Sequence, residues 1–190
     1  MARISGTAYA CGISLTGSGF VVADDLVVTN AHVVAGQDDT SVEADGGDGL
    51  DATAIHFDPR NDVAVLSVPG LDAPALELRA GRVGAAVAIL GYPENGPYQA
   101  VAGRLGATRT VLTRDAYGSG PVQRRITSLR GRVRSGSSGG PVVDSAGRVV
   151  ATVFAATTNG SGGGFGVPPG IVGGGLAAAG GPVDTGPCVR

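Results

Sequence analysis

The 190-residue chain has no lysine and no tryptophan, two cysteines, two histidines and one methionine, and aromatic residues amount to only 4%. All 14 basic residues are therefore arginine. Without an amine side chain, P-loop, Schiff-base and lysine-activated mechanisms are excluded. No run approaches the roughly 18 consecutive apolar residues of a membrane-spanning helix. An excess of one charge sign is missing too: 14 basic against 16 acidic residues leave a net charge of −2. A nucleic-acid partner is not expected from that balance.

What is present bounds the architecture. A chain this long reads as one domain, or as two small lobes sharing one site, with enough residues for a sizeable core. The hydrophobic share of 43% excludes a disordered chain. Glycine, at 34 residues, is spread throughout, which suits many tight turns between short strands.

The two cysteines, Cys11 and Cys188, stand near opposite ends with no histidine close in sequence, so they do not form a metal-site pattern. One disulfide closing almost the whole chain is the natural pairing, and loop entropy assigns such a closure roughly 5 kcal/mol. Two unrelated buried thiols are the alternative. A disulfide implies maturation in an oxidising compartment. Met1-Ala2-Arg3-Ile4-Ser5 opens no signal peptide, so an export signal or membrane anchor is expected upstream.

Short apolar runs punctuated by turn residues predict an all-β fold. Gly19 to Ala23 and Leu26 to Thr29 flank a turn at Asp24-Asp25; Ala52 to Phe57 and Asp62 to Val68 flank Asp58-Pro59-Arg60-Asn61. Gly70 to Gly84 reads as a connection between lobes. Further strands are expected at Ala85 to Leu90, Ala100 to Leu105, Pro121 to Leu129, Pro141 to Asp144, Arg148 to Ala155 and Phe165 to Val167. Helix is confined to a turn at Ala31 to Val34 and a segment at Ile171 to Ala179, and Asn159 to Gly164 reads as a glycine-rich loop.

Three segments carry candidate chemistry. Gly136-Ser137-Ser138-Gly139-Gly140-Pro141 suits a nucleophilic serine presented from a tight turn whose backbone N–H groups converge on a developing oxyanion. In a glycine-rich chain the same residues also suit a plain turn between strands. Thr29-Asn30-Ala31-His32-Val33-Val34 places one of two histidines just past a strand, where a general base for serine would sit. Taken alone, an isolated histidine such as His32 is more often structural, and His56, inside a strand without a motif, is that plainer case. Asn61-Asp62-Val63-Ala64 carries a carboxylate into an apolar strand, which is costly unless a donor meets it, and orienting an imidazole is one such use. An exposed Asp at the strand end is the alternative.

The order His32, Asp62, Ser138 puts base and acid in the first lobe and nucleophile in the second, with the site in the cleft between them. Gly136-Ser137-Ser138-Gly139-Gly140 also fits the G-x-S-x-G elbow of α/β-hydrolases. That elbow feeds a helix and precedes its histidine. Here a strand follows and no histidine occurs after Ser138, so that fold is excluded.

Gly17-Ser18-Gly19-Phe20-Val21-Val22, Val27-Val28-Thr29-Asn30-Ala31-His32-Val33-Val34, the D-x-A-x-L run from Asp62 and the turn Gly91-Tyr92-Pro93 resemble the chymotrypsin-like (trypsin-like) serine proteases, and among them the HtrA-type branch. The resemblance spans about Gly17 to Val167. It implies two six-stranded antiparallel β-barrels: one over about residues 1–70, the other over about 85–190, joined by 70–84. It also implies a serine endopeptidase in which His32 is the general base, Asp62 its orienting acid and Ser138 the nucleophile, with an oxyanion hole from the N–H groups of Gly136 and Ser138. Polypeptide substrates follow from it, and neither a cofactor nor a metal is implied. The primary specificity pocket would be lined by Arg132, Ser135, Phe154, Ala155, Ala156 and Gly166. With Arg132 where trypsin carries its pocket Asp, cleavage after a non-basic, medium apolar residue is expected.

The chain departs from the HtrA pattern in ending before a PDZ domain and in its terminal cysteines. With its lysine-free composition, it is most similar to the actinobacterial membrane-anchored periplasmic proteases of MarP type. That likeness implies an extracytoplasmic, anchored, monomeric protease domain serving acid or oxidative stress resistance. Ser137 replaces the aspartate that precedes the nucleophile in digestive enzymes, so control is expected instead from ordering of the loop Arg132 to Ser138, aided by the Cys11–Cys188 closure. The alternative function is a latent protease-like binding module.

Overall fold

A computed structural model describes residues 1–44, 46–157 and 163–189. The first half contains β1 (Ala2–Ala8), β2 (Ile13–Ala23), β3 (Leu26–Thr29), α1 (Ala31–Val34), β4 (Ser41–Ala44), β5 (Leu50–Asp51), β6 (Thr53–Asp58) and β7 (Val63–Ser67). These seven strands pair antiparallel in the order β5-β4-β1-β2-β3-β7-β6. The two edge strands, β5 and β6, are separated only by Ala52, whose N–H donates to the Thr40 carbonyl at 2.9 Å. They are successive parts of one strand, so the sheet wraps round on itself as the expected six-stranded barrel.

The second half contains β8 (Ala86–Gly91), β9 (Gln99–Thr113), β10 (Val122–Arg130), β11 (Pro141–Val143), β12 (Val149–Ala156) and β13 (Gly163–Val167), followed by α2 (Pro169–Ala178). They close as β10-β13-β12-β11-β8-β9. Of the expected glycine-rich loop, Gly163 and Gly164 belong to β13 and Asn159 to Gly162 lie outside the described residues. Between the barrels, residues 70–84 hold to both: Leu76 N–H donates to Val21 O, and Val149 exchanges bonds with Glu77 and Arg79, each at 2.8 Å. Among the described residues no helix is long and apolar enough to cross a membrane.

Period-2 alternation explains the apolar runs. Val21, Val27, Ala64 and Leu66 face the core of the first sheet. Their neighbours Phe20, Val28, Val63 and Val65 face the other way, into a second cluster with Val143, Val149 and Val167 of the second barrel and Val172 of α2. The second barrel splits likewise, Val142 and Val150 turning to its own interior. Strands buried on both faces read as continuous apolar stretches, which is why these were visible in the sequence. β1 and β4 were not, because β1 buries only Ala2, Ile4 and Ala8, and β4 only Val42.

The shared cluster fixes how the two barrels meet, and Phe20 is its largest fully buried side chain. Phe20→Ala is expected to cost about 3–5 kcal/mol of stability, read by chemical denaturation; a loss below about 1 kcal/mol would contradict this packing.

Candidate active site

α1 follows β3 directly, and Asn30 and His32 both reach across to Asp62 at the entry to β7. Asn30 Nδ2 donates to the Asp62 carbonyl at 2.8 Å. The Asp62 carboxylate accepts the His32 backbone N–H at 2.9 Å on Oδ1. The His32 ring meets the same carboxylate, Nδ1 lying 2.8 Å from Oδ2 and 3.0 Å from Oδ1. An ionised carboxylate only accepts, so the proton of a neutral His32 sits on Nδ1 and Nε2 keeps its lone pair. Asp62 itself is 3% exposed and has φ +61°. Aspartate is among the few residues that enter this left-handed region readily, and such outliers cluster at functional sites.

Ser138 arrives from the second barrel on the turn before β11. Its carbonyl accepts the Ser18 N–H at 2.8 Å, across the inter-barrel boundary. Gly139 packs so closely on β2 and β3 that an added Cβ would overlap Ser18 O and Thr29 Oγ1, with Asn30 N at 3.2 Å. The nucleophile candidate is thereby placed beside the turn that carries His32. Among the described residues no hydrogen bond joins the Ser138 side chain to the imidazole. In ligand-free sites such bonds are often long and tighten only when substrate is bound.

The carbonyls of the residues leading to Ser138 are tied down. Ser135 O accepts from Glu94 N–H at 2.8 Å, Ser137 O from Gly140 N–H at 3.0 Å and Gly136 O from Ser18 Oγ at 2.7 Å. In a trans peptide the N–H points opposite to its carbonyl. The amides of Gly136 and Ser138 therefore point away from these partners, and neither has a hydrogen-bond acceptor among the described residues. Gly136 has φ +83°, a conformation glycine adopts without strain.

The expected pocket residues do not all gather. Arg132 lines a small cavity with Ile89, Gln99, Val101 and Arg134, on the β8–β9 side of the turn. Its neighbour Val133 lies against Gly164 of β13 instead. Ser135 is exposed, and Phe154 and Ala155 are half-buried beside the exposed Ala156. Gly166 is buried and pairs with Val153 of β12 and Thr127 of β10. The Arg124 guanidinium, missed in the sequence, stacks on Phe154 at 4.3 Å from the ring centroid. Burial draws its pKa down from the ordinary value and the nearby Asp62 carboxylate pulls it up. Cys11 and Cys188 form the expected disulfide. His56 is the plainer histidine, packed under Gly175 of α2. Among the described residues no three His, Cys, Asp or Glu side chains gather as a metal site requires.

A buried Asp at the entry to an apolar strand, an imidazole held by it, and a serine on a turn with free amides are the arrangement of a candidate serine-hydrolase site. The trypsin-like peptidase domain family matches residues 17–151, and the chain belongs to that family. Rv3671c, a serine protease of Mycobacterium tuberculosis (strain H37Rv), is 41% identical over 192 residues, covering 98% of this chain and 48% of its own length. The chain thus spans about half the length of that curated relative. A probable periplasmic serine endoprotease, DegP-like, of Halomonas elongata is 35% identical over 138 residues, 70% of this chain and 28% of that protein. The crystal structure of the active form of the Rv3671c protease superposes with a TM-score of 0.93 at 39% identity, covering all of this chain and 85% of that one.

The close approach at Gly139 gives a local test. Gly139→Ala adds a Cβ onto two oxygens at φ +82°, and overpacking with strain is expected to cost about 1–3 kcal/mol or more. A thermal midpoint within about 1 °C of wild type would contradict this placement.

Proposed function

We propose that the chain is a serine endopeptidase domain that cleaves peptide bonds through an acyl-enzyme. The observation that carries this reading is the joining of the His32–Asp62 pair to the Ser138 turn across the inter-barrel boundary by Ser18 and Gly139. His32 Nε2 takes the proton of the Ser138 hydroxyl as Oγ attacks the substrate carbonyl carbon. The Gly136 and Ser138 amides receive the carbonyl oxygen as it becomes an oxyanion. The imidazolium then gives its proton to the leaving amine, the C–N bond breaks, and the acyl group remains on Ser138. Water, deprotonated by the same imidazole, releases the acid and restores the serine. Asp62 holds the tautomer and stabilises the imidazolium through its bond to Nδ1.

One protease domain made of the two barrels, about residues 1–70 and 85–190 with 70–84 between them, carries this activity as a monomer. The disulfide supports action outside the cytoplasm, because such bonds persist in oxidising compartments. The likeness to Rv3671c and to periplasmic DegP-like proteins supports a periplasmic setting, with a membrane anchor outside this chain and a role in acid or oxidative stress resistance. Arg132, Ser135, Phe154, Ala155, Ala156 and Gly166 include no carboxylate, which supports a non-basic, medium apolar residue before the cut.

A fluorophosphonate probe is expected to label the wild-type chain and not Ser138→Ala; equal labelling of both would overturn the nucleophile assignment. Asp62→Asn leaves the fold in place but supports the wrong tautomer, and is expected to lower kcat about 10⁴-fold. In a peptide library, cleavage should concentrate after medium apolar residues, and cuts mainly after Arg or Lys would refute that preference.

A further inference from the structure

Ser18 is fully buried at the point where β2 meets the second barrel, and every polar atom it has is used there. Its N–H donates to Ser138 O at 2.8 Å and its carbonyl accepts Thr29 Oγ1 at 2.8 Å. The hydroxyl donates to Gly136 O at 2.7 Å and accepts the Tyr92 N–H at 2.9 Å. One side chain thus bonds the turn before the nucleophile and the turn after β8.

The bond to Gly136 O matters because of what Gly136 is. A glycine at φ +83° lacks the Cβ that would restrict it, so its flanking peptides can rotate at little cost. Rotation would take the Gly136 N–H out of the direction that the Ser135–Glu94 bond gives it. Ser137, next in the chain, is not a carboxylate and cannot be anchored by a buried charge. Its amide is engaged only locally, with Arg134 O at 3.1 Å. The long-range anchor of this peptide is the Ser18 hydroxyl.

The turn that supplies Glu94 is itself held from the first sheet. Arg3, the cross-strand partner of Ser18, places its guanidinium 4.8 Å from the Tyr92 ring centroid. The same group donates to Asn95 O at 3.3 Å and Gly96 O at 3.1 Å. Arg3 thus grips that turn from outside, while Ser18 holds Tyr92 and Gly136 from inside.

We propose that Ser18 is a positioning residue of the peptidase reaction: its hydroxyl fixes the Gly136–Ser137 peptide, which lies between the two peptides that carry the Gly136 and Ser138 amides, and so keeps both amides aimed into the cleft. The inference rests on the serine endopeptidase reading. Ser18 touches no reacting atom, and its contribution falls on the transition state rather than on substrate binding.

The test compares wild type, Ser18→Ala and Val42→Ala, the last a core truncation in β4, which is separated from β2 by β1. A peptide amide substrate and a peptidyl aldehyde, which forms an oxyanion on Ser138, are the probes. Ser18→Ala is expected to lower kcat about 10- to 100-fold and to weaken the aldehyde in parallel, with KM moving less than about threefold. Val42→Ala should lose thermal stability and keep kcat. Wild-type kcat in Ser18→Ala, a change confined to KM, or an equal kcat loss in Val42→Ala would overturn the proposal. If the wild-type chain shows no Ser138-dependent turnover, it is the endopeptidase reading that fails instead. Should Ser18→Ala not fold, hydrogen exchange in the wild type decides. The Tyr92 amide, bonded to the Ser18 hydroxyl, is expected to be strongly protected with and without the aldehyde, and exchange as fast as that of an exposed amide would overturn the role.

Discussion

The carbonyl oxygens of four successive residues, Ser135 to Ser138, are each hydrogen-bonded to the protein, two of them to Ser18 alone. Peptide planarity converts those bonds into directions for the amides between them. The candidate site depends on this conversion. A free backbone turn containing glycine would sample many orientations, and an oxyanion hole that must reorganise during the reaction loses much of its electrostatic advantage. The barrels, their shared apolar cluster and the tight seat of Gly139 together hold the acceptors and donors of this turn at fixed separation.

That fixed separation comes from strands buried on both faces. In β2, β3 and β7, alternate side chains fill the first barrel, and the residues between them fill the boundary with the second. The same strands carry or adjoin Ser18, Thr29, Asn30, His32 and Asp62. Hydrophobic burial therefore places the polar groups, and the polar groups in turn account for their own desolvation: Asp62 meets two N–H donors, and Ser18 satisfies both its hydroxyl and its backbone. The buried polar atoms without a hydrogen-bond partner among the described residues are Arg124 Nε and Nη1, Asn30 Oδ1, Thr152 Oγ1 and Arg3 Nε.

The sequence was readable where local pattern and burial agree. The runs Phe20-Val21-Val22, Val27-Val28-Thr29 and Val63 to Leu66 announced strands because both faces are apolar, and α1 fell at Ala31–Val34 as expected. α2 also formed, over Pro169–Ala178, with proline in the first turn where its missing N–H costs nothing. The segments that escaped are those whose role lies in pairing rather than burial. β1 has Ile4 as its one large apolar residue among small and polar ones, β4 buries one valine, and the exposed outer half of β9 has little apolar signal. At the candidate site, His32, Asp62 and Ser138 were singled out by residue type and order. Ser18 appeared only as a letter in a motif, since nothing local tells whether a serine hydroxyl faces solvent or a carbonyl 118 residues away. Arg132 and Val133 show the same limit: neighbours in sequence, they face opposite sides of the turn, which only the barrel geometry decides.

The most direct measurement is the amide NMR spectrum of the wild-type domain during titration with a peptidyl boronate that bonds covalently to Ser138 Oγ. Both the Gly136 and Ser138 N–H resonances are predicted to move downfield together as the boronate oxygen enters the site, while the Tyr92 and Ser18 amides stay in place. If the boronate attaches to Ser138 and the Gly136 amide does not shift, or if the Tyr92 and Ser18 amides move with it, the turn is not held as described and the account is contradicted.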